Sequence, residues 1–280
     1  PNPAWLSFVK TGRARSKIRH HLKTVAQEKS NELGERMLGQ ALRSEGIATL
    51  PSEDGEYKAT WEKLLRFTGN KTRDELMADI GMGKRIASMV GKKLAVLLSE
   101  TGLKPDALLI STERYASGQD ESASQGVVTL DGSEGLSVQY AACCKPIPGD
   151  RIVGYLGRGE GLAVHTRDCA TARKLEHKDR ERFIGVEWSD ELTRNFETAI
   201  NVTVVNGKGV LARVAGALAS AETDIVHVDM GQESPQDTAE LKFVVAVRDS
   251  AHLEQVLRHL KRTPAVIQAE RQTNKGNSAA

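Results

Sequence analysis

Hydrophobic positions along this chain follow three patterns in turn: helical spacing, short apolar runs between glycines, and a strand–helix alternation. From Asn31 to Leu42, residues Leu33, Met37, Leu38, Ala41 and Leu42 recur at helical spacing, and Gly46 ends the pattern before the turn-rich Pro51–Gly55. A second helix carries Trp61, Leu64, Leu65 and Phe67. Thr72-Arg73-Asp74-Glu75 has the form of a capping box, in which Thr72 accepts from the Glu75 amide and Glu75 reaches back, so a third helix opens there. It stops at Ile80-Gly81-Met82-Gly83, and a fourth follows through Ile86, Met89, Val90, Leu94 and Leu97. Residues 111–126, STERYASGQDESASQG, have no hydrophobic period and read as a linker.

Beyond the linker the period shortens. Two strands, VVTL and LSVQY, flank the turn signal Asp131-Gly132. Two more, Arg151–Leu156 and Leu162–His165, flank Gly157-Arg158-Gly159-Glu160-Gly161, as expected of a hairpin whose positive-φ positions are glycines. No helix follows that glycine string and no Lys-Ser/Thr closes it, so it reads as a turn and not as a nucleotide loop. In the last stretch, Thr198–Val205 points Ile200, Val202 and Val204 inward, and Asn206-Gly207-Lys208-Gly209 turns into a helix bearing Leu211, Val214, Ala215, Leu218 and Ala219. Strands Ile225–Met230 and Leu241–Val247 surround a polar loop. Asp249 or Ser250 caps a second helix with Leu253, Val256, Leu257 and Leu260, and Pro264 ends it before a final strand, Val266–Ala269. The order β-α-β-β-α-β is the ferredoxin-like split βαβ. An RNA-recognition sheet would need aromatic pairs that these strands lack. Exposed sheet edges favour pairing with another copy or domain.

The bulk numbers set limits on this picture. At 280 residues the chain is long enough for two or three cores. No apolar run approaches the roughly 20 residues of a membrane span, so no membrane association is expected. Net charge of +2 gives no global field for polyanions, which leaves nucleic-acid binding to local basic faces, and 4% aromatics argues against base-stacking platforms. The opening PNPAWLSFVK has no secretory pattern and no Met, as expected of a piece of a longer protein. Three cysteines cannot all pair, which points to a reducing cytoplasm.

All three cysteines lie between Val138 and Cys169. Cys143 and Cys144 are adjacent, and His165 and Cys169 are one helical turn apart, a spacing compatible with one half of a zinc site whose other half the cysteine pair would supply. Neighbouring side chains of a strand point to opposite faces, so only a turned backbone beside Pro146, Pro148 and Gly149 can aim both cysteines at one metal. Packed thiols beside a bare histidine, or a nucleophilic cysteine with His165 as base oriented by Asp168 or Asp150, are the alternatives from spacing alone. Lys10, Arg13, Arg15, Lys17, Arg19 and Lys23 form a basic, largely helical entry segment with no acid among them. It is either a solvated helix face or a phosphate-contacting patch. Lys84 and Arg85 follow the Gly-x-Gly turn, which is similar to a helix-hairpin-helix phosphate site or is a plain αα-hairpin.

The string CCKPIPGD…GYLGRGEGL…H…C resembles the conserved-cysteine, or zinc-finger, domain of the bacterial RelA/SpoT family, which makes and degrades (p)ppGpp. The resemblance extends across the chain. It implies an α+β multidomain protein: the end of a TGS domain and basic entry at 1–24, a helical domain at 25–115, a linker at 116–126, a small β-hairpin cysteine domain at 127–190, a C-terminal ferredoxin-like βαββαβ ACT domain at 191–272, and a tail at 273–280. It maps candidate Zn2+ ligands onto Cys143, Cys144, His165 and Cys169, and candidate RNA contacts onto Arg13, Arg15, Lys17, Arg158 and Arg167. By likeness to ACT domains, an amino acid would bind at Asn206, Gly207, Gly209, Val210 and Leu211. The implied role is the ribosome- and tRNA-sensing C-terminal region of a bifunctional, SpoT-like (p)ppGpp synthetase/hydrolase. Its partners would be rRNA, deacylated tRNA, the N-terminal catalytic domains of the same chain and a second copy. No histidine is followed by Asp, so the family's His-Asp hydrolase motif is absent and this region is expected to be inactive by itself. An amino-acid-binding module and a thiol or metal sensor are the competing readings.

Overall fold

A computed structural model describes residues 9–103, 105–106, 127–132, 134, 137–192, 194–230 and 238–272. The expected linker, the tail at 273–280 and the first eight residues lie outside these. Two compact units are distinguished, and each is taken by itself. The first comprises the described residues within Pro1–Gln139, Gly154–Ala163 and Asp179–Glu187; the second, those within Tyr140–Val153, Val164–Lys178 and Trp188–Ala280.

The first unit is built on α1 (Gly12–Ser44), a single helix of 33 residues. The basic entry segment and the periodic stretch from Asn31, read separately in the sequence, are therefore one element. Thr11 caps it, its hydroxyl accepting from the Ala14 amide at 3.4 Å. Its second half carries an apolar face, with Leu33, Leu38 and Leu42 fully buried. Helices α2 (Lys58–Thr68), α3 (Arg73–Gly81) and α4 (Ala87–Glu100) complete the helical layer. Close approach of α1 and α3 depends on two glycines: a Cβ on Gly34 would stand 1.9 Å from the Met77 carbonyl oxygen, and one on Gly81 would stand 2.0 Å from that of Ser30. The α3 cap differs from the expected box in one bond. Thr72 accepts from the Glu75 amide at 3.2 Å, but the Glu75 carboxylate takes the Lys71 amide at 2.7 Å.

The short strands are β1 (Val128–Leu130), β2 (Val138–Tyr140), β3 (Ile152–Leu156), β4 (Leu162–Thr166), β5 (Phe183–Ile184) and β6 (Val186–Trp188). Strands β3 and β4 lie side by side around the glycine turn, with Gly159 and Gly161 at positive φ. Strands β1 and β2 are not partners across Asp131-Gly132. Instead β1 pairs with β6, and β2 is the edge of a sheet ordered β2-β4-β3-β5. Three-residue strands carry too little pattern to choose a partner, and packing at long range decides.

In the second unit, β7 (Phe196–Val205), α6 (Val210–Ser220), β8 (Asp224–Met230), β9 (Thr238–Val247), α7 (Ser250–Lys261) and β10 (Val266–Arg271) realise the expected βαββαβ order. The sheet runs β10-β7-β9-β8, with β9 paired antiparallel along the whole of β7. Ile200, Val202 and Val204 of β7 and Phe243 and Val245 of β9 form its buried face with Val214, Leu218, Val256 and Leu260 of the helices. Asp249 caps α7 by accepting from the His252 amide at 2.7 Å. All seven residues of the edge strand β8 are exposed, Val226 and Met230 among them. Ile147, from the turn after the cysteine pair, is fully buried in this same core.

Candidate metal centre

Cys143, Cys144, His165 and Cys169 converge in the second unit, with one ligand atom of each within 4.8 Å of all the others. The backbone explains how adjacent cysteines share a target. Residues 141–145 turn back on themselves, with the Cys144 and Lys145 amides both donating to the Ala141 carbonyl at 3.2 and 2.8 Å. Lys145 then takes φ of 41°, a left-handed conformation costly for any residue with a Cβ. His165 sits near the end of β4. Cys169 directly precedes α5 (Ala170–Lys178), so that the first turn of the helix holds its sulfur.

Four of the six distances between ligand atoms are close to the edges of a tetrahedral site, and the other two lie within 4.8 Å. With Zn–S of about 2.3 Å and Zn–N of about 2.0 Å, tetrahedral edges are about 3.8 Å between sulfurs and about 3.5 Å from sulfur to nitrogen. Cys143 Sγ lies 3.5 Å from Cys169 Sγ, 3.9 Å from Cys144 Sγ and 3.4 Å from His165 Nδ1; Cys144 Sγ lies 3.7 Å from the same nitrogen. None is at the roughly 2.05 Å of a disulfide. The Thr166 amide donates to Cys144 Sγ at 3.4 Å, the kind of contact that favours a thiolate ligand.

Protonation follows burial and neighbours. Burial pushes the Cys143 thiol up, and it pushes Cys144 up to about 12. Burial acts in the same direction on Cys169, but the Ala172 and Thr171 amides and the other two sulfurs more than offset it and bring that thiol down. Burial lowers His165, keeping its imidazole neutral and able to bind a metal. Three soft sulfurs and one neutral nitrogen form a donor set that can hold a metal ion. Of the two carboxylates considered as orienters of His165 in a nucleophilic reading, Asp168 pairs with Arg173 at 3.2 Å. Asp150 accepts a two-pronged hydrogen bond from Arg271, at 2.6 Å on each oxygen.

The remaining candidates are dispersed. Arg13, Arg15 and Lys17 are exposed on the first turns of α1, where Arg15 Nε donates to the Val9 carbonyl at 2.8 Å. Lys84 pairs with Asp79 at 2.9 Å, and the Arg85 guanidinium donates to the Thr68 carbonyl. Gly83 has φ of 72°, and a Cβ there would stand 2.2 Å from the Gly157 carbonyl oxygen. The Gly-x-Gly turn therefore packs on the β3–β4 turn, which is what a plain αα-hairpin needing glycine would do. This contact brings Lys84 beside Gly159 and so beside Arg158, whose own partner is Asp179 at 3.5 Å. Arg182, which the sequence did not single out, donates to both the Gly83 and Leu156 carbonyls and ties the two turns together. Arg167 is exposed two residues before Cys169. Asn206, Gly207 and Gly209 are exposed in the β7–α6 turn, Val210 is buried and Leu211 half-buried. Among the described residues no helix is long and apolar enough to cross a membrane.

Comparison with known proteins bears on this geometry. The RelA/SpoT RIS domain matches residues 128–189, a range that holds all four cluster residues, and an ACT domain matches residues 192–271. Over 275 residues the chain is 31% identical to the bifunctional (p)ppGpp synthase/hydrolase SpoT of Escherichia coli (strain K12), covering 98% of this chain and 36% of that protein. It is 28% identical over 280 residues to the GTP pyrophosphokinase of the same strain, covering 97% of this chain and 37% of that one. Among solved structures, the ACT domain from GTP pyrophosphokinase of Chlorobium tepidum aligns with 28% of this chain and 99% of its own, at 15% identity and a TM-score of 0.25. The chain thus spans little more than a third of the length of the curated relatives it matches.

Proposed function

This chain belongs to the RelA/SpoT family, carrying its RIS domain followed by an ACT domain, and from that premise we propose that it is the regulatory region of a (p)ppGpp synthase/hydrolase. In this reading it senses the ribosome and deacylated tRNA and acts on catalytic domains elsewhere in the same protein. The observation that carries the proposal is the Cys143, Cys144, His165 and Cys169 cluster inside the RIS match. Its donor set and edge lengths suit Zn2+. When bound, that ion supplies a fixed four-point tie between the 141–145 turn, β4 and the start of α5. The chain's own residues do the rest: the turn aims the cysteines, burial keeps His165 neutral, and the tie holds Arg167 and its neighbours in one shape for contact with RNA. Arg13, Arg15 and Lys17 on α1, with Lys84 and Arg158, would contribute phosphate contacts through counterion release.

The test is co-sedimentation of purified protein with ribosomes across a salt series. Pelleting should weaken as salt rises, and charge reversal at Arg13, Arg15 and Lys17 together should weaken it further; unchanged pelleting rejects that patch. Metal analysis under reducing conditions should find about one zinc per chain, and substoichiometric zinc rejects the metal. A second reading is favoured by the open space at the β7–α6 turn, where neither Gly207 nor Gly209 has an atom within 4 Å of a built Cβ. An amino acid would be received by Asn206, Gly207, Gly209, Val210 and Leu211, and isothermal titration with branched-chain amino acids giving no heat at millimolar ligand removes it. The exposed apolar edge β8 supports the expected pairing with a second copy.

A further inference from the structure

The cysteine turn is tied to the ACT strand β10 by one side chain. Arg271, the last residue of β10, is largely buried (19% exposed) and makes four hydrogen bonds with its guanidinium. Nη1 and Nη2 take the two Asp150 oxygens at 2.6 Å each, Nη2 also takes the Lys145 carbonyl at 3.0 Å, and Nε takes the Thr198 hydroxyl at 3.1 Å. Asp150 in turn accepts from the Ile147 amide at 2.8 Å, closing the turn after the cysteines. Lys145 is the residue held at φ of 41°, and it directly follows Cys144. A residue in a left-handed conformation persists only where its surroundings over-determine it, and here Arg271 grips its carbonyl while the Ala141 carbonyl receives its amide.

We propose that Arg271 is the positioning residue of the metal site: by clamping Asp150 and the Lys145 carbonyl it holds the Cys143–Cys144 turn in its ligating conformation. The site is then conditional on β10 being in place, which gives the ACT sheet a route to the cysteine cluster. Lysine cannot replace this fork, since the contact is bidentate on a carboxylate and shares a third acceptor. The inference rests on the metal reading above.

Co2+ and Zn2+ affinities would be measured by chelator competition on the whole chain, well below its thermal midpoint, for wild type, Arg271→Gln, Arg271→Lys and Lys145→Gly combined with Arg271→Gln. Displacing a group that orients metal ligands lowers affinity by roughly 10- to 100-fold, so Arg271→Gln and Arg271→Lys should both lose at least about 10-fold. Glycine takes positive φ without steric cost, so Lys145→Gly in the Gln background should recover most of that loss. A purely structural Arg271 would lower the thermal midpoint and leave the affinity of the folded protein unchanged. Affinity within twofold of wild type in Arg271→Gln, or a loss that Lys145→Gly does not recover, overturns the proposal. If wild type binds neither metal, the metal reading fails separately, and alkylation of the metal-free thiols decides the clamp. Cys144 should then react about 10-fold faster in Arg271→Gln, and an unchanged rate overturns it.

Discussion

Replacing Ile147 with alanine tests whether the cysteine turn and the ACT domain share one core. Ile147 follows Cys144 by three residues, yet it is 0% exposed and packs in the cluster formed by β7, β9, α6 and α7. The substitution removes three carbons from water-free surroundings, at about 0.8 kcal/mol each, and leaves a cavity whose cost adds to the transfer loss. The neighbouring turn is pinned by the Ser250 amide on the Pro148 carbonyl at 2.8 Å and by Trp188 Nε1 on the Asp150 carbonyl at 3.1 Å, so collapse into the void is restricted. About 3 kcal/mol is the expected loss, within the usual range for deletion of a buried isoleucine side chain. At 1.4 kcal/mol per tenfold, that corresponds to opening about a hundredfold more often. Hydrogen exchange followed by mass spectrometry reads it: amides of β7 and β9 should lose protection together with those of residues 144–150, by about two orders of magnitude. Faster exchange confined to 144–150, with β7 and β9 at wild-type rates, would refute the shared core.

Two further predictions concern the first unit. Burial alone would raise the Asp79 carboxyl, but hydrogen bonds from Lys84 and Asn70 and the Lys84 and Arg85 charges more than offset it and hold it below its usual value. A depressed folded-state pKa gives stability that is present above the unfolded carboxyl pKa and lost as pH falls through the folded one. Asp79→Asn should therefore cost on the order of 1–2 kcal/mol in urea unfolding at pH 7, with the difference from wild type closing in the acid range below about pH 4; an equal cost at pH 7 and pH 3 counts against it. Gly83→Ala combines positive φ with a Cβ placed 2.2 Å from the Gly157 carbonyl oxygen, so a loss of roughly 2 kcal/mol or more is expected in the same assay, and a neutral variant would mean the two turns are not in contact.

What the sequence could and could not reveal follows from the range of the interactions involved. The βαββαβ order was legible because each element carries its own period and its own stop, as in the inward Ile200, Val202 and Val204 and the Asp249 cap. The four cluster residues were legible because their spacing, and the need for a turn beside Pro146 and Pro148, are local facts. The pairing of β1 with β6 was not, since three residues of strand encode no partner. Nor was the continuity of α1, in which the pattern changes from basic to apolar partway along one helix. Arg271 and Asp150 stand 121 residues apart, and each alone is an ordinary surface charge in the sequence. Nothing at Lys145 announces a left-handed residue either, because lysine there is chosen against the local backbone preference. Such a local conflict is expected where a site is held by the rest of the fold. The cysteines therefore provide the ligands, but the conformation that presents Cys143 and Cys144 together is maintained from the ACT strand, through a contact that no motif contains.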